Sequence, residues 1–147
     1  MPLFVHEAKF DANKKQIWDW YNSDGAFRRI MPEWEGIQPI NAGRLVDGDE
    51  TIFKVKMGPL RQKWVARHHS VVPGESFADR MIKGPFGAWN HHHEFESKSG
   101  EVTSVIHNVE YKLPLHIFTG WSAGFTVLPR MKQMFEFRSV RVANDLK

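Results

Sequence analysis

Cysteine is absent from this 147-residue chain, which excludes disulfides, thiol nucleophiles and thiolate metal sites together. Redox logic therefore leaves the compartment open. Also missing is any apolar run of membrane-spanning length, and Met1-Pro2-Leu3-Phe4-Val5-His6-Glu7 lacks the long apolar stretch of a signal peptide. A cytoplasmic location without membrane insertion is the resulting expectation. Charge of one sign is scarce, since 20 basic and 17 acidic residues leave only +3. Lys14-Lys15, Arg28-Arg29 and Lys54/Lys56 stand apart and build no phosphate-tracking patch, so nucleic acid is not an expected partner. Neither a phosphate-binding glycine pattern nor a serine-nucleophile elbow occurs, which disfavours dinucleotide chemistry inside the chain. Low-complexity tracts, linkers and repeats are lacking too, and the length suits one domain over residues 1–147.

The feature that stands out is Trp89-Asn90-His91-His92-His93-Glu94-Phe95. Side chains alternate faces along a strand, so Trp89, His91, His93 and Phe95 share one face, and His92 points the other way. Two large aromatics argue against a solvent face, and two titratable rings argue against ordinary core. A lined cavity satisfies both.

Around that strand the chain reads as α+β. Leu3 to Phe10 is a strand, Asn13 and Gln16 form a capping box opening a short helix with Ile17, Trp18, Trp20 and Tyr21, and a second short helix runs from about Gly25 to Ile30. Turn signals at Asp47-Gly48-Asp49, Gly58-Pro59, Pro73-Gly74-Glu75, Gly84-Pro85-Phe86-Gly87 and Lys98-Ser99-Gly100 separate strands over Ile37–Leu45, Thr51–Met57, Arg61–Val71, Phe77–Lys83, Trp89–Ser97 and Val102–Leu113. Beyond Leu113-Pro114, the helical spacing of Leu128, Met131, Phe135 and Val142 predicts a long terminal helix, with Pro129 in its first turn. A curved antiparallel sheet of about seven strands would wrap that helix and leave a pocket between them.

Centring each hairpin on its turn predicts register. His91 then faces His107, His93 faces Val105, Met81 lies near His91 and Asp79 near His93, while His69 opposes Asp79 and Arg67 opposes Met81. The inward face combines an apolar wall of Phe53, Val55, Met57, Phe77, Met81, Trp89, Phe95, Val105, Val109 and Tyr111 with a polar row of Arg67, His69, Asp79, His91, His93 and His107. His68 is expected outside. Three readings fit the row: a satisfied polar network beside a ligand, acid–base catalysis by a histidine oriented by Asp79, or a metal held by His91, His93 and His107. The first is preferred, so no metal or cofactor is expected. Trp18, Trp20, Trp34, Trp64 and Trp121 read as core or rim packing, with Trp34 able to guard a pocket mouth. An interaction module is disfavoured because the outward positions Lys54, Lys56, Arg80, Glu94, Glu96 and Glu110 are charged.

This order of elements resembles the SRPBCC superfamily, the helix-grip fold of START lipid-transfer domains, the birch-pollen-allergen group and aromatic polyketide cyclases. The carrying residues include Ile17-Trp18-Asp19-Trp20-Tyr21, Gly25-Ala26-Phe27, Pro32-x-Trp34, Gly58-Pro59, Trp64-Val65-Ala66-Arg67-His68, Phe77-x-Asp79, Gly84-Pro85-Phe86, Trp89-x-His91-x-His93-x-Phe95, Tyr111-x-Leu113-Pro114 and Met134-Phe135-x-x-Arg138. They are similar above all to bacterial ligand-binding members, some of whose relatives are joined to an epimerase-like domain. The resemblance implies a cavity for a small hydrophobic or lipid-like ligand, with an epimerase-like protein as a partner on that basis alone. The expected ligand-binding residues are Arg67, His69, Asp79, Met81, Trp89, His91, His93, Phe95, His107, Val109, Met131 and Phe135. His93, His91 and Asp79 are the candidates for the alternative, a cyclase- or dehydratase-like enzyme.

Overall fold

Asn13 caps the first helix as its sequence requires: its side chain accepts from the Gln16 backbone N–H at 2.9 Å, and the Gln16 side chain accepts from the Asn13 N–H at 2.8 Å. In the computed structural model, which describes residues 2–32, 35–57, 60–113 and 123–147, this helix is α1 (Lys14–Tyr21), following β1 (Leu3–Phe10) and preceding α2 (Ala26–Arg29). Expectations resting on Trp34, Gly58-Pro59, Pro114, Trp121 and the Met57 side chain lie outside the described residues.

Six more strands follow: β2 (Gln38–Asn41), β3 (Glu50–Met57), β4 (Leu60–Val72), β5 (Ser76–Lys83), β6 (Ala88–Ser99) and β7 (Val102–Lys112). They form one seven-stranded, open, curved antiparallel sheet in the order β1-β7-β6-β5-β4-β3-β2, and the long helix α3 (Ala123–Asp145) packs against it. The expected strand Ile37–Leu45 is shorter than its apolar pattern suggested. Its pairing with β3 shifts between Pro39 and Asn41, where proline has no N–H to give the ladder.

Helical spacing carries Met131, Phe135 and Val142 into the interior, at 4%, 0% and 0% exposure. Leu128 does not join them; it is 47% exposed. Because α3 begins at Ala123, Pro129 lies inside the helix and beyond its first turn. At the far end Asp145 accepts from Trp20 Nε1 at 3.0 Å and pairs with Arg29, tying α1 and α2 to the helix that grips the sheet.

Two of the predicted registers slip by two residues and one by a single residue. Along β6 and β7, His93 pairs with His107 and His91 with Val109; along β5 and β6, Asp79 pairs with His91 and Phe77 with His93. An even slip preserves which face each side chain occupies. Between β4 and β5 the offset is odd, because a bulge intervenes between His69 and Val72, where Ser70 takes a left-handed φ of 53°. His68 therefore opposes Asp79, with Ala66 opposite Met81.

Candidate functional site

The odd slip turns part of the expected polar row inside out. Arg67 lies on the outer face, exposed and paired with Glu50 at 3.0 Å, and His69 hydrogen-bonds Asn90 and Ser70 there. Neither lines the interior. His68, expected outside, is 7% exposed and faces in, its Nδ1–H donating to the Arg44 carbonyl at 2.6 Å. That bond fixes its tautomer, and burial lowers its pKa.

Along β6 the alternation is regular: Trp89, His91, His93 and Phe95 are buried, whereas Asn90, His92 and Glu94 face outward. Trp89, His91 and His93 look onto a cavity of about 380 Å³ under α1, α2 and α3. Of the sequence-predicted residues, Asp79, Trp89, His91, His93 and Met131 line it. Phe95, His107, Val109 and Phe135 are buried but are not part of its lining, and Met81 packs beside Gly84 and Trp64. Sequence reasoning missed His68, Tyr21, Thr51 and Arg138, all of which line the space.

Phe53, Trp64, Phe86 and Trp89 form a contiguous aromatic group, with Phe53 stacked on Trp64 at 5.4 Å and Trp64 edge-on to Trp89 at 5.3 Å. Next along the sheet come the imidazoles. His93 is sandwiched between Phe77 at 4.0 Å and His91 at 3.8 Å, and His91 Nε2 shares a proton with His107 Nδ1 at 3.0 Å. Burial holds all three neutral: His91 and His93 are pushed well below 6.5 and His107 down to about 3. His93 Nδ1 is buried and has no hydrogen-bond partner among the described residues.

Asp79 stands 3.9 Å from His91 Nδ1, beyond hydrogen-bond length. Burial raises its pKa from 3.8 to about 7, against the opposing pull of Arg138. The same desolvation raises Tyr21 to about 12. Arg138 reaches this group from α3, one turn beyond Met134, and its Nη2 points at the sulfurs of Met134 (3.5 Å) and Met31 (3.8 Å).

Among the described residues, His91, His93 and His107 form one group able to hold a metal, with their ligand atoms within 4.8 Å of one another. His91 Nε2 and His107 Nδ1 already share a hydrogen bond at 3.0 Å, which an ion bound through those two atoms would have to replace. A neutral hydrogen-bonded network fits the observed arrangement as it stands.

A curved antiparallel sheet gripping a terminal helix around a ligand-sized, aromatic-lined cavity defines a helix-grip protein of the SRPBCC superfamily. The chain belongs to the polyketide cyclase / dehydrase and lipid transport family, whose profile matches residues 11–136. A nucleoside-diphosphate sugar epimerase from Corynebacterium glutamicum is 28% identical with a TM-score of 0.74 over 97% of this chain, which spans only 29% of that protein's length. Norcoclaurine synthase from Thalictrum flavum shares the fold at 16% identity and TM-score 0.67, covering 99% of this chain and 96% of that one. An aromatase/cyclase from Streptomyces does so at 16% identity and TM-score 0.67, covering 99% and 90%. No curated protein matches the sequence. Among the described residues, no helix is long and apolar enough to cross a membrane.

Proposed function

We propose that the protein binds a small, largely apolar ligand in this cavity, its body against Phe53, Trp64, Trp89 and Met131 and its polar group towards Asp79, His91 and His93. The observation that carries the reading is the cavity itself, about 380 Å³ and lined by aromatic rings. Natural cores are packed to near-crystalline density, and ligand sites run from about 300 to 1,000 Å³. Lipid transport and polyketide cyclisation, the activities in the family's description, both act on largely apolar molecules that would fit such a space. An epimerase-like protein as a partner is part of the same reading, supported by the 28% identical chain whose further length lies outside the match.

Ala66 faces the cavity from β4 and is 5% exposed. Ala66→Phe should fill the space, keep the unfolding midpoint, and weaken binding of an environment-sensitive naphthalene dye at least about tenfold, equivalent to ~1.4 kcal/mol. Undiminished dye fluorescence in that variant would put the dye on the surface and remove this reading.

One observation favours a second, cyclase- or dehydratase-like reading: a carboxyl group titrating at about 7 inside the cavity. Asp79 can take or give a proton near neutral pH, whereas the buried imidazoles hold one poorly. The proton carrier would then be Asp79, with His91 its neutral neighbour, in place of the histidine base expected from sequence.

Asp79→Asn tests this. In the wild type the fold keeps the Asp79 proton up to about 7 whereas the unfolded chain releases it near 3.8, so stability is lost as the pH rises through that window. The variant, which has no proton to lose, should therefore be more stable than the wild type above neutrality by a few kcal/mol, since a buried carboxylate costs about 1.4 kcal/mol for every tenfold change in its proton affinity. Under the enzyme reading it also keeps dye affinity and loses turnover of a polyketone mimic; unchanged turnover would eliminate Asp79 as the acid–base group.

A further inference from the structure

We propose that Arg138 is the anion-recognition residue of the cavity, and that the ligand is a small aryl carboxylate whose carboxylate seats on this guanidinium. The inference rests on the cavity being a ligand site and adds the chemistry of the ligand's polar end.

The argument begins with what surrounds the cation. Met131, Phe135, Arg138 and Val142 follow one another at helical spacing, so α3 aims Arg138 along the same face as its buried apolar residues. The guanidinium carbon stands 5.2 Å from the Phe135 ring centre. Among the described residues Nη2 meets only thioether sulfurs, which are weak acceptors, and Nε is buried without a hydrogen-bond partner. Among the described residues no carboxylate forms an ion pair with Arg138. Of the acidic groups that act on it electrostatically, Glu35 pairs with Arg130 at 2.9 Å, and Asp79 stands 3.9 Å from His91 Nδ1.

A guanidinium cannot discharge itself by losing a proton, so an unpaired one inside an apolar wall is a standing desolvation penalty. Tyr21, Asp79 and Glu35 are close enough to act on it electrostatically. Tyr21 and Asp79 are pushed by burial towards their neutral forms, which leaves the positive charge under-compensated. The imidazoles beside it, His91 and His93, are also neutral and offer no competing cation.

The shape of the missing partner follows from the walls. A planar fork of N–H donors matches a carboxylate, which can accept two parallel bonds. One such fork among apolar side chains suits a monoanion. The contiguous rings of Phe53, Trp64, Phe86 and Trp89 suit a flat aromatic body.

Isothermal titration of naphthoate and its neutral isostere naphthamide against the wild type, Arg138→Met and Arg138→Lys tests the assignment. Wild type should prefer the acid over the amide by about 10- to 100-fold, the range of one charge-assisted hydrogen-bonded contact. In Arg138→Met that preference should vanish while naphthamide still binds, and Arg138→Lys should keep part of it. Equal affinity for acid and amide in the wild type overturns the inference and leaves the cavity reading standing, and this comparison holds even if a variant fails to fold. Preference retained in Arg138→Met overturns it as well. If neither compound binds the wild type, both the inference and the reading beneath it fall.

Discussion

Acidification should destabilise this protein steeply, through its buried histidines. His91, His93 and His107 are buried and neutral, with His107 held at about 3 and the other two well below 6.5. In the unfolded chain each imidazole takes a proton once the pH falls below about 6.5, whereas the fold refuses it, so their stability contribution is present above that value and lost below it. At about pH 5 His107 alone accounts for roughly 2 kcal/mol, and His91 and His93 act in the same direction. His6 and His68, whose pKa values are also lowered by burial, act in the same direction.

Asp79 works against them. It holds a proton in the fold up to about 7 that the unfolded chain has already released, and this returns ~2 kcal/mol on acidification over the same interval. The lowered histidines outnumber this one carboxyl, so the balance is a net loss, and a domain has only about 5–15 kcal/mol to lose. Urea midpoints should therefore level off above neutrality and fall sharply by about pH 5. His93→Phe places a ring of similar shape between Phe77 and His91 and removes the orphaned Nδ1. It should raise the midpoint at about pH 5 and lower the apparent proton uptake on unfolding by about one. A midpoint flat from about pH 8 to 5 would mean that the imidazoles are not desolvated as described.

How much of this was written in the sequence depends on which residues are asked. The alternation from Trp89 to Phe95 and the Asn13 capping box are local signals, and both appear as read. Register was inferred from turn centres, and the slips of two residues around His91 and Asp79 changed partners without changing faces, because the side-chain period is two. Ser70 is different. A single left-handed residue adds one position to β4, exchanging Arg67 and His69 for Ala66 and His68. A hint was present in the shared parity of Trp64, Ala66 and His68, set against that of Lys63, Arg67 and His69, which puts the charges outside. Arg138 was also legible by spacing, three residues after Phe135 and seven after Met131. Its lack of a partner was not, because that depends on which carboxylates the folded chain has already engaged.

Phe135→Ala should be the most damaging single truncation, by about 3–5 kcal/mol. Its side chain is 0% exposed and sits where the helix meets the sheet. Rings of Phe4, His6, His91 and His107 approach it at 5.3, 5.7, 5.3 and 5.1 Å. Removing it would bring three further losses. It opens a void beside the cavity, uncovers the hydrogen-bonded His91–His107 pair, and takes away the aromatic face under Arg138. For a chain of this size the loss corresponds to a fall of roughly 10 °C in Tm, readable by thermal denaturation near neutral pH; a shift under about 3 °C would mean that α3 is not held to the sheet through this ring. The contrast with Ala66→Phe separates fold from function. Filling the cavity should abolish dye binding at constant stability. Emptying the Phe135 position should lower stability first, and binding should survive wherever the variant remains folded, since Phe135 is not part of the cavity lining.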